Sequence, residues 1–356
     1  MELALIVDPY GEDKPGGLGR AIFEMAKGIV ASRVASKTTM YLKTAPKSPP
    51  KFVGDFSVVP LNVKRLWLSA GKNLKKGSDL YIFFTPIIPL TFFPKKSIVV
   101  AHDFAYLELP AKTFKEKAAQ ILLKELHQIS FQKATAIVAV SHAAKESLLM
   151  HFKIPARKIT VIYNGFIPLG TNAHELNAPI PFFLFAGVLK ERKNVHGVIR
   201  AFSEFAQTNT EYSLLIAGKT GGAYAQEAEL LVDKLGAASR IKFLGYVSDA
   251  ELNTLYTKAT ALVFPSFIEG FGMPVLEAME RGLPVITSHS GALAEVAGDA
   301  ALLVNPYDSS DIARAMSRLA NDSALRESYR EKGKKRAAEF SWEKNAKEFS
   351  SLITSL

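Results

Sequence analysis

Residues 261–288 read ALVFPSFIEGFGMPVLEAMERGLPVITS, and this stretch contains a complete strand–loop–helix–strand unit. Residues 261–264 form an uninterrupted apolar run, which is typical of a buried strand, and residues 283–288 repeat that pattern. Between the two runs, Pro274 suits the first position of a helix, where its missing N–H is no loss. A strand, a helix and a second strand in this order predict two parallel strands joined by a crossover helix.

The same alternation of apolar strands and amphipathic helices continues on both sides of this unit. One series runs from a strand at residues 3–8 to a strand at residues 159–165, and a second series begins with residues 181–187. Residues 168–181 contain three prolines and no periodic pattern, so we interpret them as an interdomain linker. The sequence therefore predicts an α/β protein with parallel sheets covered by helices on both faces. The predicted parts are an N-terminal domain at 1–167, a C-terminal domain at 182–340 and a terminal helix at 341–356.

Length and composition exclude several classes of protein. The 356 residues are enough for two domains of similar size. Cysteine is absent, which rules out disulfides, thiolate zinc sites and a cysteine nucleophile. Residues 80–94 are the most apolar stretch, but they are shorter than the roughly 20 residues that cross a bilayer, and prolines interrupt them. Residues 3–7 are too short for a signal-peptide core. We therefore expect a cytoplasmic protein without a transmembrane helix.

The positive charge is concentrated in one half of the chain. Residues 1–174 carry 24 Lys and Arg against 12 Asp and Glu, whereas residues 175–356 carry 20 against 22. Such a concentration of positive charge attracts nucleic acid, anionic lipid or phosphorylated substrates. No RNA-binding, zinc or basic-helix motif accompanies the charge, so we do not expect nucleic acid as a partner. Residues 61–76 and 112–124 mix Lys with apolar side chains, which indicates peripheral contact with an anionic membrane surface. A soluble domain with solvated lysines is the alternative.

The loop within residues 261–288 predicts an anion site. The start of a helix presents backbone amides that bind anions without a metal. Glu269 precedes the helix and Glu277 lies one turn inside it, so both can border the same cavity. The alternative is a plain strand–turn–helix with two surface glutamates. The amides expected to converge are those of Gly272, Met273, Val275 and Leu276.

A second candidate lies in residues 185–202, FAGVLKERKNVHGVIRAF. A strand ends at Gly187, and Arg192 and Lys193 stand just before the next helix. Two adjacent cations at the carboxyl end of a strand suit a diphosphate, although a solvated basic turn is the alternative. No Asp-x-Asp triplet occurs in the chain, so the usual metal-chelating arrangement has no candidate residues. This pattern favours stabilisation of a departing anion by fixed cations and amides.

The N-terminal half contains weaker signals. Gly16-Gly17-Leu18-Gly19 precedes a helix, and glycines there let a ligand approach the backbone closely. His102 and Asp103 end a strand, which is where ligands bind in open α/β sheets. A purely structural histidine is the alternative.

Several of these stretches resemble one enzyme family. Residues 261–288 closely resemble the E-x7-E signature of the retaining family 4 (group 1) glycosyltransferases, and residues 185–202 resemble the donor-diphosphate element of that family. Residues 16–19 resemble its Gly-Gly loop, and residues 91–110 resemble a branch with a histidine in the sugar pocket. The resemblance covers nearly all of residues 16–307. It implies a GT-B fold, with two Rossmann-like domains facing across a cleft and a terminal helix that crosses back to the N-terminal domain.

The resemblance also implies roles for individual residues. Glu269 would hold hydroxyls of the transferred sugar, and Glu277 would bind the ribose. Arg192 and Lys193 would neutralise the diphosphate, and His102 would touch the sugar. The implied catalytic residues are Glu269, His102, Arg192 and Lys193. The implied donor-binding residues are Gly17, Gly187, Arg192, Lys193, Tyr246, Val247, Gly270, Phe271, Gly272, Met273, Val275 and Glu277. The implied acceptor-binding residues are Gly16 and Asp103, and no metal or other cofactor is implied.

The reaction implied by the resemblance is transfer of a hexose from a nucleotide-diphosphate sugar, with retention and without a covalent intermediate. The branch favours GDP-mannose as donor, with UDP- or dTDP-sugars as alternatives. The acceptor would be a saccharide or a polyprenyl-diphosphate-linked saccharide in the synthesis of cell-surface polysaccharide such as lipopolysaccharide. A nucleotide-sugar epimerase and a binding module on a degenerate GT-B fold are competing interpretations, and the intact glutamate and Arg-Lys pairs argue against the binding module.

Overall fold

The computed structural model describes residues 1–7, 16–46, 50–63, 73–168, 170, 179 and 181–356. These residues form two compact units, one containing residues 1–165 and 340–356 and the other containing residues 166–339. Most of the predicted linker at 168–181 lies outside the described residues. Each unit is built around one sheet, and every strand pairing in both sheets is parallel among the described residues.

The first unit has a seven-stranded sheet in its described part. Its strands are β1 (Glu2–Val7), β2 (Lys37–Leu42), β3 (Phe56–Pro60), β4 (Leu80–Phe83), β5 (Ser97–Ala101), β6 (Ala136–Ala139) and β7 (Ile159–Val161). Their order across the sheet is β3-β2-β1-β4-β5-β6-β7. The connections therefore change direction between β1 and β4, which is the position where open α/β sheets bind ligands.

Helices connect these strands, and local sequence signals explain where they begin. They are α1 (Gly17–Ala31), α2 (Ala105–Glu108), α3 (Phe114–Lys133) and α4 (His142–His151). Helix α3 starts with a capping box between Thr113 and Glu116. The buried Ser141 hydroxyl accepts a hydrogen bond from the Ala144 amide at 3.0 Å and so caps α4.

The described residues of the second unit form a six-stranded sheet in the order β10-β9-β8-β11-β12-β13. Its strands are β8 (Phe182–Ala186), β9 (Ser213–Ala217), β10 (Ile241–Gly245), β11 (Ala261–Phe264), β12 (Val285–Ser288) and β13 (Leu302–Val304). Its helices are α5 (Val195–Phe205), α6 (Ala223–Lys234), α7 (Asp249–Lys258), α8 (Met273–Glu280), α9 (Gly291–Ala297), α10 (Ser309–Asn321) and α11 (Ser323–Ala337). The connections change direction between β8 and β11.

The strand–loop–helix–strand unit predicted from residues 261–288 is confirmed as β11, α8 and β12. Strand β11 pairs in parallel with β12, with Leu262 opposite Val285. The helix begins one residue earlier than predicted, at Met273, so Pro274 is its second residue. The sheet core in this unit is rich in fully buried phenylalanine side chains.

The last helix, α12 (Trp342–Ser355), belongs to the first unit, as predicted for the terminal helix. The Asn345 amide donates a hydrogen bond to the Tyr163 carbonyl at 2.7 Å. Gly165 lies so close to the Trp342 backbone that a Cβ atom would clash there. Within the described residues, we find no helix with the length and apolar character that crossing a bilayer would require.

Candidate active site

Three charged side chains meet at the carboxyl edge of the sheet in the second unit. Arg192 and Lys193 lie in a single 3₁₀ turn that follows β8, and Glu269 lies in the loop that follows β11. Because β8 and β11 are the neighbouring strands at which the connections change direction, their loops separate and leave room for a ligand. Topology thus unites the two motifs that the sequence placed 77 positions apart.

The three side chains form a compact ion cluster. The Arg192 guanidinium lies 2.7 Å from one carboxylate oxygen of Glu269, and the Lys193 ammonium lies 2.5 Å from the other. Arg192 also donates to the Ile268 carbonyl at 3.0 Å. The Glu269 and Lys193 side chains are only 7% and 11% exposed, whereas that of Arg192 is 24% exposed. Arg192 is therefore the member of the cluster that solvent, or a ligand, reaches most readily.

The cluster carries a net positive charge. Burial alone would raise the pKa of Glu269, but the adjacent Lys193 ammonium and Arg192 guanidinium outweigh burial and hold that pKa below its ordinary value of 4.5. Glu269 is consequently ionised at neutral pH. Within the cluster itself, two cations face one carboxylate, so the sum of these three charges is positive. Such a site favours an anionic ligand, because a second negative group completes the charge balance.

Two features hold the Arg-Lys turn in place. The Lys193 ammonium lies 4.7 Å from the centre of the Phe264 ring, a cation–π contact with the last residue of β11. Asn194 adopts a left-handed backbone conformation with φ of 58°, and its side-chain amide donates to the carbonyls of Pro265 and Pro306 at 3.1 and 2.6 Å. Asn194 therefore ties the turn after β8 to the loops after β11 and β13. Sequence reasoning missed this role, although an asparagine that opens a helix is a recognisable capping signal.

Helix α8 begins beside the ion cluster. Gly272 precedes it with φ of 109°, and a Cβ atom there would lie 2.6 Å from the Leu293 side chain. Only glycine fits this position without strain. The prediction that the Val275 amide is free to bind a ligand is wrong, because it donates to the Gly272 carbonyl at 3.0 Å and closes the first turn. Gly270, Phe271 and Met273 lie in the same loop and helix start, where the sequence placed them.

Glu277 lies one turn into α8. Its carboxylate accepts a hydrogen bond from the Tyr256 hydroxyl at 3.2 Å, and the Tyr256 side chain is fully buried on α7. This partner fixes one oxygen of a half-buried carboxylate. Tyr256 is a second residue that sequence reasoning missed, because nothing in the local pattern of α7 relates it to a glutamate on the next helix.

Backbone forms the floor of the site beside the ion cluster. The strands β8, β9 and β10 are each followed or ended by a glycine, Gly187, Gly218 and Gly245. Gly218 lies so close to the Gly187 carbonyl that a side chain there would overlap it. Its amide donates to the Gly245 carbonyl at 2.8 Å. The predicted base-binding residues Tyr246 and Val247 follow β10, which is two strands, or about 10 Å, from β8.

The remaining predicted site residues lie in the first unit, at the carboxyl ends of its strands. His102 follows β5, and its Nε2–H donates to the Phe84 carbonyl at 2.8 Å. Burial lowers the pKa of His102, so the ring is neutral at pH 7 and its Nδ1 is an acceptor. The Asp103 carboxylate accepts from the Ala105 amide at 3.3 Å. Gly16 and Gly17 are exposed at the start of α1.

Both units match models of known families. The model described as Glycosyl transferases group 1 matches residues 171–336, and the one described as Glycosyltransferase Family 4 matches residues 15–168. The chain belongs to glycosyltransferase family 4. The glycosyltransferase is 31% identical over 278 residues to the O-antigen chain mannosyltransferase B of Escherichia coli, which covers 74% of this chain and 71% of the relative.

Solved structures at lower identity share the fold of the glycosyltransferase. Sucrose-phosphate synthase from Thermosynechococcus elongatus superposes with a TM-score of 0.78 at 20% identity, over 99% of this chain and 98% of the other. HepE of Anabaena, in complex with UDP and glucose, gives a TM-score of 0.76 at 18% identity over the full length of both chains. The predicted GT-B fold of two Rossmann-like units is thereby confirmed.

The low pKa of Glu269 gives the glycosyltransferase a defined pH dependence. Its ion pairs stabilise the folded state fully above the ordinary pKa of 4.5, and this contribution disappears as the pH falls through the lower folded-state pKa. We expect the unfolding free energy of Glu269→Gln to decline less steeply than that of the wild type between about pH 5 and 3. Urea unfolding at successive pH values measures this slope. The exposed Glu331→Gln serves as control, and parallel slopes for wild type and Glu269→Gln would contradict the assignment.

Proposed function

We propose that the chain transfers mannose from GDP-mannose to a saccharide or a polyprenyl-diphosphate-linked saccharide, with retention at the anomeric carbon, in the synthesis of a cell-surface polysaccharide. The observation that carries this proposal is the positively charged cluster of Arg192, Lys193 and Glu269 beside the start of α8. The mannosyltransferase of E. coli supports the choice of sugar and the O-antigen type of acceptor.

Departure of the nucleoside diphosphate is the step that this cluster serves. As the bond from the sugar to the β-phosphate breaks, negative charge develops on the leaving oxygen. The planar guanidinium of Arg192 presents several N–H donors, and the ammonium of Lys193 supplies a compact positive charge. Glu269 already orients both groups. Fixed donors of this kind each lower such a barrier by about 3–4 kcal/mol. We propose that these cations and the amides at the start of α8, at Gly272 and Met273, suffice without a metal ion.

Glu269 acts as a positioning group in this proposal, and its carboxylate does not attack the sugar. Each of its oxygens faces a cation, which lowers its nucleophilicity, while the remaining lone pairs can accept hydrogen bonds from sugar hydroxyls. In this proposal no covalent intermediate forms, and the acceptor hydroxyl attacks from the face that the diphosphate leaves. Attack from that face would retain the configuration of the anomeric carbon.

The other predicted residues complete the proposed binding of donor and acceptor. Glu277, held by Tyr256, accepts from the ribose hydroxyls, and Tyr246 and Val247 hold the base at a distance of two strands from β8. In the first unit, the Nδ1 atom of His102 accepts a hydrogen bond from a hydroxyl of the sugar. The groups that complete the donor site are Gly17, Gly187, Gly270 and Phe271, and those that contact the acceptor are Gly16 and Asp103.

Thermal unfolding with a panel of GDP-, UDP-, dTDP- and ADP-sugars, with and without EDTA, tests this function. A ligand that binds only the folded state raises the unfolding midpoint. We expect a rise with GDP-mannose that EDTA leaves unchanged and that Glu277→Ala removes. A rise with UDP- or dTDP-sugars alone would reassign the donor, since HepE is a structural neighbour with bound UDP and glucose. No rise with any nucleotide sugar would contradict the enzyme assignment.

Helix α3 carries the proposed contact with an anionic membrane surface. Its buried face is directed toward the rest of the first unit, while Phe114, Ile121 and Leu122 are 89%, 57% and 53% exposed. Together with the exposed Ala118 they follow an i, i+4, i+7, i+8 pattern, so they form one apolar stripe on the side of the helix facing away from the protein. The buried residues of α3 are Leu126, His127, Ser130 and Phe131.

Basic side chains flank this stripe. Lys115 and Lys117 are exposed in the first turns, and Glu116 between them is held in the capping box. An apolar stripe bordered by lysines suits insertion at the headgroup level of anionic lipid. This placement would bring a lipid-linked acceptor to the enzyme. Of the second predicted segment, 61–76, residues 64–72 lie outside the described part of the chain.

Flotation with phosphatidylglycerol vesicles tests the membrane contact. We expect the wild type to float at low salt and the double variant Phe114→Ser/Ile121→Ser to lose most of that binding. Both side chains are exposed, so folding should be unaffected. The matched control is Met150→Ser/Leu230→Ser, which removes two exposed side chains from other helices. Equal flotation of all three proteins, or none at low salt, would overturn this part of the proposal.

A further inference from the structure

A cavity lies in the second unit, at the opposite edge of the sheet from the ion cluster. It has a volume of about 410 Å³ and is bordered by the residues that precede β8, β9, β11 and β12, including Pro181, Tyr212, Thr260 and Pro284. These positions are the amino ends of the strands, whereas the candidate active site lies at their carboxyl ends. The volume is in the range of small-molecule sites.

Among the described residues, four cationic side chains and no carboxylate line this cavity. Arg326, Arg330 and Lys334 come from successive turns of α11 at a spacing of four residues, so they form one row, and Arg281 follows α8. Gly282 opposite the row has no side chain, and the stems of Arg330 and Lys334 occupy the space that a Cβ would take. The aliphatic stems of Arg330 and Lys334 therefore pack against the backbone at Gly282.

The local charge balance favours an anion. Arg281 lies 3.2 Å from the Glu280 carboxylate and Arg330 lies 3.5 Å from the Glu327 carboxylate, and neither glutamate lines the cavity. Among the described residues, four cations against two carboxylates leave an excess of two positive charges. A phosphate monoester carries about 1.5 to 2 negative charges at pH 7, so one such group balances the cavity.

Hydrogen bonds within the second unit hold one of the cations that line the cavity. The Arg326 guanidinium donates to the carbonyls of Leu319 and Ala320 at 2.5 and 2.9 Å, which fixes it at the carboxyl end of α10. The hydroxyls of Tyr212 and Thr260 add neutral polar groups to the wall. A guanidinium held in position beside hydroxyl groups can recognise phosphate oxygens with little loss of side-chain entropy.

We propose that this cavity binds a phosphate-bearing anion at a site other than that of the donor nucleotide. The cavity borders the amino ends of the strands, whereas the ion cluster lies at their carboxyl ends, and Tyr256, whose hydroxyl holds Glu277, also lines the cavity. The shared chemistry is a phosphate group, whether it belongs to a soluble phosphate ester or to a lipid headgroup.

Calorimetric titration with inorganic pyrophosphate at physiological salt tests the cavity. The titrations use an Arg192→Gln background, so that the candidate active site contributes little to binding. We expect saturable binding that Lys334→Gln and Arg330→Gln each weaken at least fivefold. Lys335→Gln, an exposed neighbour on the same helix that does not line the cavity, should change the affinity less than twofold. Thermal unfolding checks that each variant is folded.

Flotation with phosphatidylglycerol vesicles separates the two sources of phosphate. Vesicle binding that depends on Lys334 and not on Lys335, without binding of free pyrophosphate, would keep the site and assign it to a lipid headgroup. Equal loss in Lys334→Gln and Lys335→Gln would show diffuse attraction to a basic helix and overturn the proposal. Absence of both pyrophosphate and Lys334-dependent vesicle binding would overturn it as well.

Discussion

Replacing Arg192 with glutamine should lower kcat/KM for the donor sugar by about 100- to 1,000-fold, the usual cost of losing one fixed donor to a developing negative charge. Arg192 is the most exposed cation of the cluster, and in the proposed function it contacts the diphosphate. Release of nucleoside diphosphate measures the rate, with the sugar that the unfolding panel identifies.

The same substitution should leave folding almost intact. Lys193 still pairs with the buried Glu269 carboxylate, so no charge is left without a partner in the interior. Arg200→Gln is the matched control, because Arg200 is an exposed arginine on α5, the helix that follows the Arg-Lys turn. A rate within about threefold of wild type for Arg192→Gln would remove Arg192 from the chemistry. A large loss of stability would instead identify its role as structural.

Gly218→Ala should damage the second unit severely. The added methyl group would overlap the Gly187 carbonyl, which is backbone at the end of the neighbouring strand and cannot rotate away. Overpacking of this kind costs about 3 kcal/mol or more, because strands β8 and β9 would have to separate. We expect a lower urea midpoint for unfolding and loss of nucleotide binding together.

Gly16→Ala is the control for this prediction. It adds the same methyl group at a position where no described residue lies within 4 Å and where φ of −62° is normal for alanine. Its unfolding midpoint should match that of the wild type. Wild-type stability for Gly218→Ala would contradict the close approach of β8 and β9 on which the floor of the site depends.

The structure could be predicted best from the sequence where the local pattern of residues is enough to determine it. The unit at residues 261–288 shows its strands, its glycine turn and its helix start locally, so its fold could be predicted without tertiary information. Strands β2 and β3 have exposed or half-buried positions among their residues and weaker patterns, and they became evident only in the sheet.

Contacts between distant segments were not predictable. Glu269 and the Arg192-Lys193 pair were each assigned to a ligand, yet in the fold they bind one another, and this pairing arises from the adjacency of β8 and β11. The Tyr256 hydroxyl also reaches Glu277 from another helix, since α7 and α8 flank β11 in the chain. The prediction of a free Val275 amide was wrong for a local reason, because this amide donates a hydrogen bond to the Gly272 carbonyl.

A crystal structure of the chain with GDP-mannose, or with the nucleotide sugar that the unfolding panel identifies, tests the central claim most directly. The account predicts that diphosphate oxygens lie within about 3 Å of Arg192 and Lys193 and close to the amides at the start of α8, with Glu269 still bound to both cations. A diphosphate held elsewhere, or held chiefly by a metal ion away from these two cations, would contradict it.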